Sequence, residues 1–161
     1  MIAGHPITSP HHQPCQGAKT GFVFICPGRH EANRGFPCAA GTGANLARVL
    51  TVLNGRAPQW FVSPSRDMYV ITNSWPNVEF PALTGRSVPD VAEVLQDSNL
   101  ARLAAEVAGL ETIVACGVQA QAAVKALLDQ GRLSARVALA RHLSQRSVNM
   151  IPGGVDTPSR I

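Results

Sequence analysis

The sequence predicts an α/β fold, a three-layer αβα sandwich built on a central, mainly parallel four-stranded sheet. Two observations carry that expectation. Short apolar runs of strand length alternate along the chain with longer stretches of helical spacing. The runs are apolar at successive positions rather than at every second one, as in strands covered on both faces. No internal repeat interrupts the alternation.

Taken in order, residues 1–20 carry prolines, histidines and polar residues without periodicity and read as an irregular leader. Residues 21–161 are expected to form one domain, for which 161 residues is an ordinary length. "FVFIC", Phe22 to Cys26, is the first strand. From Gly43 the series Leu46, Val49, Leu50 and Leu53 has helical spacing, and Asn54 with Gly55 makes a helix stop. "DMYVITN", Asp67 to Asn73, is the second strand. "VPDVAEVLQDSNLARLAAEVAGL" reads as two helices broken near Asp97 to Asn99, where Ser98 or Asn99 caps the second. "TIVACG" is a third strand, "VQAQAAVKALLDQG" a helix closed by Gly131, and "RVALAR" a fourth strand ending at His142.

A hydrophobic fraction of 45% with 15% charged residues suits a soluble globular protein with a real core. No apolar run reaches the roughly 18 residues of a membrane span, and the N-terminus lacks the basic-then-apolar order of a signal peptide. A cytoplasmic protein without membrane contact is the expectation. Fourteen Lys+Arg against ten Asp+Glu give a formal charge of +4, mild support for a polyanionic partner. Cys15, Cys26, Cys38 and Cys116 form no C-x-x-C pair, so neither a metal or cluster nor a disulfide framework is expected.

In a parallel sheet, ligands bind beyond the carboxyl ends of the strands. There this chain has "PGRHE", "TNSW", "CG" and "HLSQRSVN", which bring Glu31, His30, Asn73, His142, Ser144 and Arg146 to one rim. Two common motifs fail at that rim. The "GTG" at Gly41 to Gly43 opens a helix but has no P-loop lysine and lies far from the preceding strand. Ser144 has no G-x-S-x-G elbow around it, which argues against acyl transfer.

In chain order the rim segments resemble those of the uracil-DNA glycosylase superfamily. "FICPGRHEANRGFPCAAGTGANL" is similar to the first motif of its thermostable-type and mismatch-type branches, including the later Gly-x-Pro and the Gly before a helix. "VITN" resembles the strand whose Asn reads the base, "TIVACG" with "VQAQAAVKAL" the apolar strand and Ala-rich helix, and "HLSQRSVN" the His-x-Ser motif whose loop enters DNA. The resemblance covers about residues 21–150. It implies a uracil-DNA glycosylase-like fold, DNA as partner, and hydrolysis of an N-glycosidic bond without metal or organic cofactor. The missing cluster cysteines set the chain apart from the iron-sulfur branch.

The residue types suit that chemistry. Excision needs a base taken out of the stack, a stabilised departing anion, and water directed at a sugar with oxocarbenium character. The resemblance gives His142 the hydrogen bond to the base carbonyl on which charge develops, and Asn73 the base edge. The Asn73 amide carries a donor and an acceptor, and flipped it would read a cytosine instead of a uracil. Pro27 and Gly28 shape the turn that approaches the base. Ser144 and Ser147 are candidates for phosphate oxygens, Arg146 flanks an apolar wedge of Val148, Met150 and Ile151, and Arg29 and Arg34 add charge at the mouth.

The departures matter as much. Where the family often has a water-positioning acid or amide before the first proline, this chain has Cys26, a poor substitute. Glu31 is the first choice for water activation, with His30 and Asn33 behind it. Gly28 stands where uracil-specific members have a Tyr, and Cys38 where a Phe stacks on uracil. Both changes enlarge the pocket, with Phe36 a neighbouring source of stacking. The expected substrate is therefore uracil or a modified pyrimidine, including a bulky 5-substituted cytosine of phage DNA, in a role of repair or of defence. A non-catalytic nucleic-acid-binding relative and a nucleoside hydrolase remain as alternatives. The chain is expected to be a monomer.

Overall fold

The computed structural model describes residues 7–152. Residues 1–6 of the expected leader, and residues 153–161 at the end of the expected domain, lie outside the described residues. The elements are β1 (His12–Gln13), β2 (Thr20–Phe24), α1 (Arg29–Arg34), α2 (Gly41–Arg56), β3 (Val70–Asn73), α3 (Pro81–Thr84), α4 (Val91–Val94), α5 (Asp97–Glu106), β4 (Thr112–Cys116), α6 (Val118–Asp129), β5 (Arg136–Ala140) and α7 (Gln145–Asn149). A 3-10 turn, Arg66–Met68, precedes β3.

The fold is α/β. Its sheet has the order β1-β3-β2-β4-β5, with β1 antiparallel to β3 and every other pair parallel. The chain runs from β2 outward to β3, then crosses back to β4 on the other side of β2. That reversal makes the carboxyl end of β2 the switch point at which crevices form.

Alternation along the strands divides the core in two. Phe22, Phe24, Ile71, Val114 and Cys116 meet Leu46 and Leu50 of α2 on one face. Val23, Val70, Ile113 and Ala115 meet Leu100 and Leu103 of α5 and Ala120, Val124 and Leu127 of α6 on the other. Each of these larger side chains removed from water contributes about 1.5–3 kcal/mol, enough to fix the strand register, since a one-residue slip would exchange the two faces.

The sheet has five strands where the sequence predicts four. The additional strand, β1, lies in the stretch expected to be irregular. Two residues have no period to read, and this strand owes its place to pairing with Thr72 and Ile71 and to the Gln13 amide, which donates to the Arg66 and Tyr69 carbonyls. Other boundaries move by a turn or less. β2 starts two residues earlier than "FVFIC" because Thr20 and Gly21 pair with β4, leaving Ile25 and Cys26 to the exit turn. Asp67 and Met68 form the 3-10 turn rather than strand, and the helix break falls at Leu95 and Gln96, just before Asp97. The sequence reading did not anticipate α1, α3 or α7, each too short to show a period.

Two glycines are required by contact. A Cβ on Gly43 would stand 2.1 Å from the Cys38 carbonyl oxygen, so only glycine lets α2 start against the turn at 36–39. Gly117 has φ +97°, and its Cβ would meet Ile25 at 2.7 Å, which ties the end of β4 to the exit of β2.

Candidate active site

A cavity of about 180 Å³ opens at the carboxyl ends of β2 and β3, lined by Phe24, Cys26, Gly28, Glu31, Cys38, Thr42, Asn73 and His142. Six of these eight are site residues expected from sequence; Phe24 and Thr42 are additions. The volume is below the range of drug-sized pockets and suits one small ring. Larger depressions are also present. One, about 490 Å³, runs beside His12, Lys19 and Leu110; another, about 500 Å³, is an apolar groove between α2 and β5 that shares His142 with the small cavity; two more, about 270 and 430 Å³, lie beside Gln59 and Met68 and between α6 and β5. The small cavity is the better candidate because it lies where β2 and β3 deliver their carboxyl ends and gathers Asn73, His142 and Glu31 there.

The walls are set by chain exits that remain paired past the strands. Ser74 N–H donates to Phe24 O (2.7 Å), Trp75 N–H to Ile25 O (2.9 Å) and Glu79 N–H to Pro27 O (2.9 Å), so the segments after β2 and β3 continue side by side. Pro27 is buried in this seam, behind the cavity wall. The Glu79 carboxylate, almost fully buried, accepts from Trp75 Nε1 (3.0 Å) and from Arg86 (2.7 and 3.1 Å). Arg86 holds the Glu79 carboxyl down at about 2.

Glu31 lies in the first turn of α1. Its Oε2 accepts from Gly28 N–H and its Oε1 from Ala39 N–H, both at 3.0 Å, so it fastens the Pro-Gly turn to the turn before α2. A carboxylate has further lone pairs, which leaves capacity toward the cavity. Arg66 holds the same turn from behind: its guanidinium donates to the Pro37 and Cys38 carbonyls and covers the Phe36 ring at 5.5 Å. Phe36 therefore packs under Arg66 and does not line the cavity. Cys38 does line it, in a left-handed conformation (φ 53°).

His142 follows β5. Buried Asn45 of α2 donates to Leu143 O (2.8 Å) and holds the turn, while Ser144 N–H donates to His142 Nδ1 (3.0 Å). With Nδ1 accepting, the neutral ring carries its proton on Nε2. Burial lowers its pKa from the ordinary 6.5, opposed by the Glu31 charge. The site thus holds a neutral imidazole whose donor is Nε2–H, its ring edge-on to Phe24 at 5.9 Å.

Asn73 is buried and its Nδ2 donates to the His11 carbonyl (3.1 Å). Cys26 donates weakly to Ser87 O (3.5 Å); burial, then Glu79 and Glu31, push its thiol up to about 12. At neutral pH it is neither base nor nucleophile. Burial likewise raises Cys38.

The remaining expected residues stand outside the cavity. His30 and Arg29 are exposed on α1, with Arg29 over the Phe80 ring at 4.9 Å. Arg34 donates to the Ala39 carbonyl. The segment "SQRSVN", expected as a loop, is largely helix α7. Ser144 caps it by accepting from Ser147 N–H (3.3 Å), and Arg146 is exposed on its surface. Within the expected wedge Val148 is buried, so Met150 is the exposed apolar side chain. Among the described residues no group of three or more His, Cys, Asp or Glu is placed to hold a metal ion, and no helix is long and apolar enough to cross a membrane.

No protein-family model matches the chain, and no curated protein matches it.

Proposed function

We propose that this chain is a monofunctional DNA glycosylase of uracil-DNA glycosylase-like fold, which takes a uracil or modified pyrimidine out of the DNA stack and hydrolyses its N-glycosidic bond. The observation that carries the proposal is the convergence of Asn73, neutral His142, Glu31 and the Gly28 turn on one small cavity at the switch point of the sheet.

In the proposed reaction the flipped base enters edge-first. Asn73 reads its edge, and the His142 Nε2–H donates to the carbonyl on which negative charge grows as the bond to C1′ lengthens. The imidazole keeps its proton: it stabilises the departing anion by a hydrogen bond that strengthens in the transition state. The Glu31 charge, fixed at the cavity wall, stabilises the positive sugar and orients the water that attacks C1′; that water gives up a proton to solvent as the C1′–O bond forms, and the released base anion takes one up. Water is the only co-reactant the chemistry needs. Both lysines, Lys19 and Lys125, lie outside the cavity, so no Schiff base is proposed. Exposed Arg29 and Arg146 supply the charge for phosphates on either side of the mouth.

A second proposal, a non-catalytic nucleic-acid-binding protein, draws support from the engagement of both Glu31 oxygens with backbone N–H groups and from the inert thiol at Cys26. One assay separates the two. Labelled DNA carrying uracil, 5-hydroxymethylcytosine or its glucosylated form is incubated with the protein and cleaved at abasic sites with hot alkali. Strand breaks support excision and identify the base. Salt-sensitive DNA binding with no breaks on any substrate supports the binding protein.

A further inference from the structure

Residues 9–13 were expected to be part of an irregular leader, yet they reach Asn73 in the cavity wall. A reciprocal pair of backbone bonds between Ser9 and His12 (2.9 and 3.2 Å) closes a turn, and His12 and Gln13 then pair with Thr72 and Ile71 at the sheet edge. The turn presents the His11 carbonyl to the Asn73 side chain (3.1 Å). The His11 ring is anchored at both nitrogens, to Ser9 Oγ (3.1 Å) and to Glu106 Oε1 (2.9 Å).

Glu106 links both sides of Asn73. Its Oε2 accepts from Thr72 Oγ1 (2.5 Å) and from Arg102 Nη1 (2.6 Å), and Arg102 in turn donates from Nη2 to the Asn73 backbone carbonyl (3.0 Å). One half-buried carboxylate thus fixes the Asn73 main chain through Arg102 and its side chain through His11.

We propose that this Ser9–Gln13 strap determines specificity by fixing the orientation of the Asn73 amide, so that the cavity accepts pyrimidines with a carbonyl at C4 and rejects those with an amino group there. A carbonyl oxygen accepts and cannot donate, so only the amide nitrogen of Asn73 fits against His11 O. Oδ1 and the second Nδ2 hydrogen then face the base in a fixed order. A 4-oxo base offers the complement, an N3–H donor beside an O4 acceptor. A 4-amino base offers an N3 acceptor beside N–H donors, and reading it requires the flipped amide, which brings Oδ1 against the His11 carbonyl with no hydrogen between them. A site that leaves buried polar groups unpaired with the wrong substrate rejects it by up to about 10⁴–10⁵-fold. His11 acts here as a positioning residue, through Asn73.

The inference rests on the base-excision proposal, and its test has a readout that does not. Excision rates are measured on single-stranded DNA carrying uracil or 5-hydroxymethyluracil against cytosine or 5-hydroxymethylcytosine, for the native chain, His11→Ala and His11→Gln. In parallel, the Asn73 side-chain NH₂ resonances and their solvent exchange are followed by NMR. His11 is partly exposed at the sheet edge, outside the core, so both variants should fold. The native chain should favour the 4-oxo bases by at least about 100-fold, with a slowly exchanging Asn73 amide. His11→Ala should lower the ratio by roughly tenfold or more and speed amide exchange, and His11→Gln, which keeps a donor for Glu106, should restore both. A preference for 4-amino bases in the native chain overturns the proposal. So does a ratio and an amide unchanged in His11→Ala. No excision of any base by the native chain overturns base excision; the strap then stands or falls on whether the amide loses its protection in His11→Ala.

Discussion

Replacing His142 by Asn separates two roles of that ring. Nδ1 accepts from Ser144 N–H at 3.0 Å and helps hold the turn after β5, while Nε2–H is the donor proposed for the departing base. An Asn oxygen can take over the first role at nearly the same reach, but its side chain is too short to replace the second. Asn45, which donates to Leu143 O at 2.8 Å, keeps the turn in place. The variant should therefore fold like the native chain, within about 1 kcal/mol in urea denaturation. Loss of one preorganised donor at developing negative charge should slow single-turnover excision about 100- to 1000-fold, or about 2.7–4 kcal/mol of barrier. The pH profile supplies a second check. Protonating His142 would put an N–H at Nδ1 against the Ser144 N–H, and burial already lowers its pKa, so native activity should fall on the acid side with an inflection below 6.5. That limb should vanish from the residual activity of the variant. Turnover within about threefold of native, a change of under 1 kcal/mol in the barrier, would refute the role given to Nε2–H.

Other outcomes follow from the same geometry. Glu31→Gln leaves one oxygen for two N–H donors at 3.0 Å, so we expect about 1–3 kcal/mol of lost stability by urea titration and at least tenfold slower excision with DNA affinity kept. Gly43→Ala places a Cβ 2.1 Å from Cys38 O; the start of α2 must shift, at a cost of about 1–3 kcal/mol measurable by thermal denaturation. Glu79→Gln removes one of the two carboxylates that hold Arg86, whose guanidinium keeps Glu93 (2.5 and 3.1 Å), so the loss should be about 1–3 kcal/mol, measured by urea denaturation. Stability should also depend on pH in two windows. His12 and His142 have lowered folded pKa values, so the unfolded chain binds their protons first, and stability present above 6.5 should decline as the pH drops through that value toward their folded ones. Glu79, at about 2 against an ordinary 4.5, adds stability above 4.5 that is lost between those values. Urea midpoints across pH 3 to 8, in the native chain and His142→Asn, test both.

The α/β class, the parallel strands and the long helices were readable because burial on two faces leaves continuous apolar runs such as Phe22 to Phe24 and Ile113 to Cys116, and because α2, α5 and α6 are long enough to show a period. Part of the cavity was readable for a related reason: parallel strands deliver their exits to one rim, so Glu31, Asn73 and His142 could be grouped without distances, while Cys26, Gly28 and Cys38 followed from the family resemblance. The supports were not. Gln13, Asn45, Arg66, Asn99, Arg102 and Glu106 act through hydrogen bonds to partners 25 to 98 residues away, and such bonds leave no local pattern. The buried polar side chains Asn45 and Asn99 sit in helices at positions where periodicity predicts apolar residues. Phe36 illustrates the converse. An aromatic beside the expected pocket invites a stacking role, but the Arg66 guanidinium covers it.

The acids around the cavity work mainly as fasteners. Glu31 joins the turns at Gly28 and Ala39, Glu106 joins the strap to Thr72 and Arg102, and Glu79 joins Trp75 to Arg86. Each holds two or more segments that the strands alone would leave loose. That division of labour fits a reaction whose sugar departs as a cation and asks little of a base. Its barrier is governed by how well the leaving anion is received, and a donor fixed before the reaction needs no reorganisation as charge develops. The neutral Nε2–H of His142 and the oriented amide of Asn73 are the groups so fixed, and the inert thiol of Cys26 beside them is then tolerable, because on this proposal the first turn contributes shape and Glu31 contributes charge.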